Sequence, residues 1–278
     1  MTQLWCNGRW LDFSDFQASP LDRGSMLGLG LFETMLALDG APVFIDRHLA
    51  RLRKGCGRLR WDLPCFDLAE VAVELLARNG LTSGRARVRL ALSGGSGPIN
   101  DLAPGADRIF WMMAVPASDV PSSDSTLISP WLRNENSPVA GMKCASYAEN
   151  LVALDHARRL GFDETIFLNT QGQVCEAATG NLFFVKNGIL HTPALHSGCL
   201  PGVTREVVME LAGDHQIPCV ERDVLPNDLH CADEIFLTSA TRGPVHVMRL
   251  DTRNFTPGPL AARLRELWTE KARRGICG

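Results

Sequence analysis

Gly141-Met142-Lys143-Cys144-Ala145-Ser146-Tyr147 sets one of four lysines in a 278-residue chain among small and apolar neighbours. The other lysines are Lys54, Lys186 and Lys271, against many arginines. No acid lies within the stretch, and Tyr147, the sole tyrosine, closes it. A lysine in a poorly hydrated pocket loses charge, because desolvation disfavours the ammonium form. The resulting neutral amine can form a Schiff base with a carbonyl. The same seven residues also fit an ordinary surface lysine, so the surrounding chain has to decide.

Composition narrows the setting. Apolar residues make up 45% and charged residues 21%, the balance of a soluble globular protein of one large domain or two smaller ones. A net charge of -3 gives no drive toward nucleic acid or an anionic membrane. The nine cysteines (Cys6, Cys56, Cys65, Cys144, Cys175, Cys199, Cys219, Cys231 and Cys277) are odd in number and scattered, without a C-x-x-C. They read as reduced thiols, not as a disulfide frame or a metal site. The N-terminus lacks the basic-then-apolar pattern of a secretory leader, and no apolar run is long enough to span a bilayer. The expected compartment is the cytoplasm.

Upstream of the lysine, Asn7-Gly8 and Asp39-Gly40 are hairpin turns, since both pairs tolerate positive φ. Leu31–Leu38 is the apolar run that the second turn closes, with Glu33 inside it. Leu49, Leu52, Cys56 and Leu59 fall on one face of a helix over 46–61, with Arg51 beside that face. Arg51 alone reads equally as a solvated helix charge. A second helix over 66–78 stops at Asn79-Gly80. Arg85–Leu92 alternates arginine with apolar residues, as a half-exposed strand does, and Arg108–Val115 is a buried strand. The Ser/Pro/Asp-rich stretch 118–130 is the expected linker between an N-terminal domain, 1–117, and a larger C-terminal domain, 131–278, that carries Lys143.

Downstream, a helix over 146–160 ends at Gly161. Short strands follow over 165–169, 172–174, 181–185 and 189–192, with Lys186-Asn187-Gly188 as an exposed hairpin tip. Gly202-Val203-Thr204 opens a helix, and helix N-termini offer free N–H groups and partial positive charge to a phosphate. A plain helix cap has the same pattern. Thr238-Ser239-Ala240-Thr241 follows a strand and supplies more donors, or only a turn. Glu176, flanked by small residues, reads either as an acid facing a pocket or as an exposed turn acid.

Together these segments resemble the class IV aminotransferases, the fold-type IV pyridoxal phosphate enzymes. The resemblance runs through Asp22-Arg23-Gly24, Gly28-x-Gly30, Phe32-Glu33-Thr34, His48-Leu49-x-Arg51, Gly141-Met142-Lys143, Tyr147-Ala148-Glu149-Asn150, Glu176, Gly180-Asn181, Leu200-Pro201-Gly202-Val203-Thr204-Arg205 and Ala232-Asp233-Glu234. It covers nearly the whole chain in the family's order. It implies an α/β (α+β) fold of two domains, a small α/β one and a larger one with a barrel-like sheet, in a homodimer. It implies pyridoxal 5′-phosphate as cofactor. Lys143 matches the Schiff-base lysine and Glu176 the acid that pairs with the pyridine nitrogen. Arg51, Val203, Thr204, Ser239 and Ala240 match the phosphate contacts, and Tyr147 packs near the cofactor. Phe32, Ser93 and Gly94 match positions beside the substrate.

Three activities share this scaffold. Two are transfer of an amino group between a small amino acid, branched-chain or D-configured, and a 2-oxo acid. The third is cleavage of 4-amino-4-deoxychorismate to pyruvate and 4-aminobenzoate. Chain length favours the D-amino-acid and lyase branches. An arginine that the branched-chain group carries after Phe-Glu-Gly-Ile is absent, since Leu36 follows Phe32-Glu33-Thr34-Met35. The arginine that opens the loop after the Arg85–Leu92 strand in the other two branches is absent as well, because that loop reads Ser93-Gly94-Gly95-Ser96. Arg87, Arg89, Arg108, Arg133 and Arg242 remain as replacements. Transamination leads, the lyase follows, and a non-catalytic pyridoxal-phosphate-binding relative is the third reading.

Overall fold

A computed structural model describes residues 2–121 and 123–274. Cys277 and position 122 of the expected linker lie outside them. The chain divides into two compact units, one of residues 2–118, 142–147 and 272–274, the other of 119–141 and 148–271.

In the first unit, β1 (Gln3–Cys6) and β2 (Arg9–Asp12) form a hairpin. Asn7 and Gly8 turn it with φ of 47° and 83°, the left-handed pair that a two-residue turn requires. A short helix α1 (Arg23–Leu27) precedes β3 (Gly30–Leu38), which turns at Asp39-Gly40 into β4 (Ala41–Pro42). Helices α2 (Ile45–Leu59) and α3 (Leu68–Arg78) follow, then β5 (Arg85–Ser93) and β6 (Phe110–Pro116). The strands make one antiparallel sheet in the order β2-β1-β6-β5-β3-β4. Leu49, Leu52 and Cys56 of α2 and Leu75 and Leu76 of α3 pack on Leu31, Met35, Val88 and Leu90 of the sheet. The alternation of β5 therefore holds: Ala86, Val88, Leu90 and Leu92 are buried, while Arg85, Arg87 and Arg89 point to the other face.

The loop after β5 is organised by Asp22 and Arg23. The Asp22 carboxylate caps α1 and accepts a hydrogen bond from Ser93 Oγ at 2.5 Å. Arg23 is almost fully buried. Its Nε donates to the Gly95 carbonyl (3.0 Å), Nη1 to those of Pro98 (3.4 Å) and Asp101 (2.6 Å), and Nη2 to those of Gly94 (2.9 Å) and Ala103 (2.6 Å). All the N–H groups of the guanidinium are thereby used on one loop.

The second unit starts with β7 (Ser123–Arg133) and α4 (Ala148–Arg159), followed by β8 (Glu164–Asn169), β9 (Val174–Ala177), β10 (Asn181–Lys186) and β11 (Ile189–Pro193). Then come α5 (Val203–Asp214), β12 (Cys219–Arg222), α6 (Pro226–His230), β13 (Glu234–Ser239), β14 (Gly243–Leu250), β15 (Arg253–Asn254) and α7 (Pro259–Arg274). The sheet order is β12-β11-β10-β13-β14-β7-β8-β9, with β15 on β14. The β11/β12, β14/β7 and β7/β8 steps are parallel. The last strand, β9, bends back so that the Ala177 amide donates to the Gly180 carbonyl just before β10. The sheet thus curls into a half-barrel around Ile166, Val174, Leu182, Phe184, Ile235 and Leu237, the barrel-like sheet expected.

Four expectations change. The stretch 118–130 is mostly strand, because β7 begins at Ser123. Its polar residues masked the period: Asp124 is buried yet neutralised by Arg242 Nη1 at 2.8 and 3.0 Å. Residues 142–147, Lys143 among them, group with the first unit rather than the larger one. Gly172 is a turn residue with φ 77°, so the strand lies at Val174–Ala177 and includes Glu176. Lys186 is only partly exposed and pairs with Asp233 at 3.1 Å. The five-residue helices α1 and α6 are too short to show a period.

Replacing Arg23 with Met leaves several buried carbonyls without a donor, which should cost at least about 3 kcal/mol. The expected result is a drop in Tm of at least about 6 °C and faster hydrogen exchange in residues 94–105. A variant with wild-type melting and exchange would show that other contacts hold the loop.

Candidate active site

Main-chain bonds set the position of Lys143. Phe32 N donates to the Lys143 carbonyl (3.0 Å), and Ala145 N donates to the Gly30 carbonyl (2.8 Å). Leu31 and Cys144 form an antiparallel bridge between them. The lysine segment is thus a short extra strand on the stretch of β3 that β4, paired only with Ala37 and Leu38, leaves uncovered. Gly30 permits the approach: a Cβ there would meet the Leu92 carbonyl at 2.8 Å and Ala145 Cβ at 3.4 Å. From this anchor Lys143 Nζ reaches 4.4 Å from the centre of the Phe32 ring and 5.9 Å from that of Tyr147. The two rings meet edge to face at 5.6 Å. The Lys143 residue is half-buried, its amine lying against these rings.

On the helix side of β3 lies a buried charged cluster. Glu33, 0% exposed, accepts from Arg51 Nε (2.8 Å) and Nη2 (2.6 Å), and meets His48 Nδ1 at 2.7 Å. Burial pushes the Glu33 carboxyl up, but the hydrogen bonds and charge of Arg51, then of His48, outweigh it and hold it at about 2. Burial lowers the His48 pKa, opposed by Glu33 and reinforced by the charges of Arg51 and Lys143. A neutral His48 beside an ionised Glu33 must carry its proton on Nδ1 and donate it, since a carboxylate only accepts. Arg51 is therefore oriented by a fork onto Glu33, a role its helical position did not disclose.

In the second unit, Glu176 lies in β9 and is buried. Its Oε2 accepts from Leu200 N at 2.9 Å and Asn181 Nδ2 at 3.4 Å, and its Oε1 is 3.5 Å from Arg133 Nη1. Asn181 Nδ2 also donates to the Leu200 carbonyl at 2.8 Å. A Cβ on Gly202 would collide with Asn181 Oδ1, so only glycine fits where α5 begins. Glu176, Asn181 and the start of α5 are thus one assembly. Val203 and Thr204 occupy the first turn of that helix and are buried, and no side chain caps it. Ser239 ends β13, and its Oγ accepts from Arg242 Nε at 3.4 Å. Ala240 and Thr241 complete the turn to β14. Cys175 and Cys199 lie close to Glu176; burial first, then the Glu176 charge, raises both thiols, Cys199 to about 12. Protonated and buried, they fill space and are not nucleophiles.

The structure brings Lys143, Phe32 and Tyr147 together in the first unit, and Glu176 with the head of α5 in the second. Ser93 and Gly94 belong to the Arg23-braced loop. Sequence reasoning missed the roles of Glu33, His48, Asn181 and Arg133. Glu33 is an acid in the middle of an apolar strand with no basic residue close to it in sequence, and that isolation was the available signal.

Residues 30–250 match the family model for amino-transferase class IV. The putative branched-chain-amino-acid aminotransferase of Methanocaldococcus jannaschii is 32% identical over 95% of this chain and 94% of its own. The aminodeoxychorismate lyase of Bacillus subtilis is 28% identical over 91% of this chain and 88% of its own. Among solved structures, the branched-chain aminotransferase of Thermoproteus uzoniensis with norvaline superposes with a TM-score of 0.89 at 26% identity, covering 97% of this chain and 94% of that one. The chain belongs to the class IV aminotransferase family of enzymes, whose members depend on pyridoxal phosphate. Near-full coverage of a branched-chain relative removes chain length as an argument against that branch.

The Glu33 cluster gives stability a pH dependence. The Glu33 pKa of about 2 lies below the ordinary carboxylate value of about 4.3, so its contribution is present above that value and lost as pH falls toward 2. His48, also depressed, contributes stability that is lost as pH falls below about 6.5. Both effects act in one direction. Tm should decline below about pH 6.5 and more steeply between about pH 4.5 and 2. Glu33→Gln should be less stable at neutral pH by about 3 kcal/mol and should lose the steep segment; an unchanged steep segment would show that Glu33 is not the group titrating.

Proposed function

We propose that this chain is a pyridoxal 5′-phosphate-dependent aminotransferase that moves an amino group between a small amino acid and a 2-oxo acid. The observation that carries the reading is the Lys143 amine, fixed by two main-chain bonds on the Phe32–Tyr147 shelf. The residues present fit the cofactor. The buried Glu176 carboxylate suits a protonated pyridine nitrogen. The uncapped start of α5 at Val203 and Thr204, with Ser239 and Ala240 of the same unit, suits a phosphate, a role for which the family pattern also names Arg51.

When bound, pyridoxal phosphate supplies a ring that takes up the electrons left behind as a proton leaves the substrate carbon. The protein does the rest. Lys143 Nζ would take the proton from the substrate Cα and return it on the far side of the substrate's amine nitrogen, to the cofactor carbon joined to it, which requires an amine that is neutral for part of the cycle. The aromatic shelf keeps bulk water from that amine. Glu176, held by Leu200 N, keeps the ring nitrogen charged.

The lyase reading rests on the Bacillus subtilis relative and on the Tyr147-Ala148-Glu149-Asn150 segment. It uses the same lysine to release pyruvate and 4-aminobenzoate. A homodimer in the cytoplasm completes the proposal. The free thiols support a reducing compartment. Exposed Leu21, Met26, Leu27 and Ile99 form apolar surface that a second copy would cover, and a one-chain mass by light scattering would remove the dimer.

Purified enzyme should show the long-wavelength absorbance of lysine-bound cofactor, and Lys143→Ala should lose it; persistence of that band would remove Lys143 from its role. Glu176→Gln should keep the cofactor and lose at least about 100-fold in kcat. A panel of D- and L-amino acids with 2-oxoglutarate, run beside aminodeoxychorismate, separates the readings. Turnover of aminodeoxychorismate alone would overturn the aminotransferase assignment, and turnover of neither would favour a non-catalytic relative.

A further inference from the structure

The chain holds three Asn-Gly pairs, Asn7-Gly8, Asn79-Gly80 and Asn187-Gly188. An asparagine before glycine can react with its own main chain in water. The glycine nitrogen, with no Cβ to hinder it, attacks the asparagine Cγ, and the side-chain amide nitrogen leaves as ammonia. Water then opens the five-membered imide at one carbonyl or the other. One opening gives aspartate, and the other gives isoaspartate, whose main chain runs through Cβ. One water is consumed and one ammonia released, with no oxidation or reduction. The step needs a free side-chain amide and a free glycine N–H, so each hydrogen bond on these groups slows it.

Two of the pairs are tied. The Asn7 Nδ2 donates to the Arg108 carbonyl (3.1 Å), and its Oδ1 accepts from Phe110 N (2.9 Å). The Phe66 ring lies 3.2 Å from where a Cβ on Gly8 would stand. The Asn79 Oδ1 accepts from Gln3 N (2.8 Å), and its Nδ2 donates to the Gln3 and Leu75 carbonyls (2.9 Å each). The attacking group there is engaged as well, since Gly80 N donates to the Ala77 carbonyl at 3.1 Å.

The third pair is open. Asn187 and Gly188, with φ of 51° and 75°, turn β10 into β11 beyond the Lys186–Ile189 pair, and both are exposed. Among the described residues, neither the Asn187 side-chain amide nor the Gly188 N–H has a hydrogen-bond partner. Apart from its chain neighbours, nothing lies within 4 Å of where a Cβ on Gly188 would stand, so water reaches the reacting atoms. The one bond on the turn runs from Asn187 N to Asp233 Oδ2 (2.7 Å), while Asp233 Oδ1 takes Lys186 Nζ at 3.1 Å. We infer that Asn187 is the site at which the folded chain deamidates, giving aspartate and isoaspartate at the tip of the β10–β11 hairpin. A carboxylate formed there stands close to Asp233, with Lys186 as the cation for both. Isoaspartate adds a carbon to the main chain and pulls the turn out of its two-residue register. The inference is independent of the chemistry of Lys143.

The experiment ages the purified full-length chain in mildly alkaline buffer made with heavy-oxygen water, once folded and once in concentrated urea. Peptide mapping by mass spectrometry then reads the heavy oxygen taken up at each asparagine. In the folded chain Asn187 should convert at least about tenfold faster than Asn7 or Asn79, the ratio expected when two or more hydrogen bonds protect the slower sites. In urea the three should convert at similar rates, because that protection is gone. Asn187→Gln should take up no label at that position, since the longer side chain does not close a five-membered ring, and should keep a Tm near wild type. Equal rates at the three sites in the folded chain would overturn the inference. So would a folded chain in which Asn187 stays intact while the chain in urea converts. A lead for Asn187 that persists undiminished in urea would also sink it, by assigning the reaction to the flanking sequence and not to the fold.

Discussion

Two backbone hydrogen bonds, Phe32 N to the Lys143 carbonyl and Ala145 N to the Gly30 carbonyl, fix the Lys143 segment against β3. A lysine side chain is long and rotamer-rich, and holding it costs entropy. Here the cost falls mainly on the main chain, which is already ordered as a strand edge, and the side chain needs only to lie along an aromatic surface. The constraint reaches further than the lysine. It requires glycine at position 30, places Phe32 beneath the amine and leaves β4 only two residues long.

Around this anchor the charges are sorted by the alternation of β3. Residues of one parity, Leu31, Glu33 and Met35, face α2 and α3. There Glu33 is ionised but fully compensated by Arg51 and His48. Residues of the other parity face away from the helices, where the Phe32 ring lies under Lys143 and Arg89. A strand with every residue but one buried thus separates the Glu33 ion cluster from the Lys143 and Arg89 cations by a single peptide. The second unit uses a different device. Asn181 joins the acid of β9 to the first turn of α5, so the Glu176 carboxylate and the helix start move together.

Much of this was legible before any coordinates. The hairpins at Asn7-Gly8 and Asp39-Gly40, the faces of α2 and the alternation of β5 follow from local rules, and the structure keeps them. Local rules failed where a distant partner changed the meaning of a residue. Asp124 disguised β7 as a linker because its neutralising Arg242 is far away in sequence. Arg51 looked like a surface charge because Glu33 belongs to another element. The grouping of residues 142–147 with the first unit is a long-range strand pairing that no window of sequence contains. The order of family motifs singled out Lys143 and Glu176, but it did not say what holds either in place.

The Arg23 loop has a consequence for how this chain can vary. A guanidinium presents its N–H groups in a rigid plane, and carbonyls from Gly94 to Ala103 converge on it. Carbonyls belong to every residue type, so the exposed Ile99, Asn100 and Leu102 are free to change, whereas Gly95 and Gly97 have no room for a side chain. What cannot change easily is the number of residues between the accepting groups. The segment is therefore permissive to substitution at its exposed positions and intolerant of insertion or deletion. Turns such as Asn187-Gly188 at the rim of the half-barrel, held by far fewer bonds, can absorb changes in length.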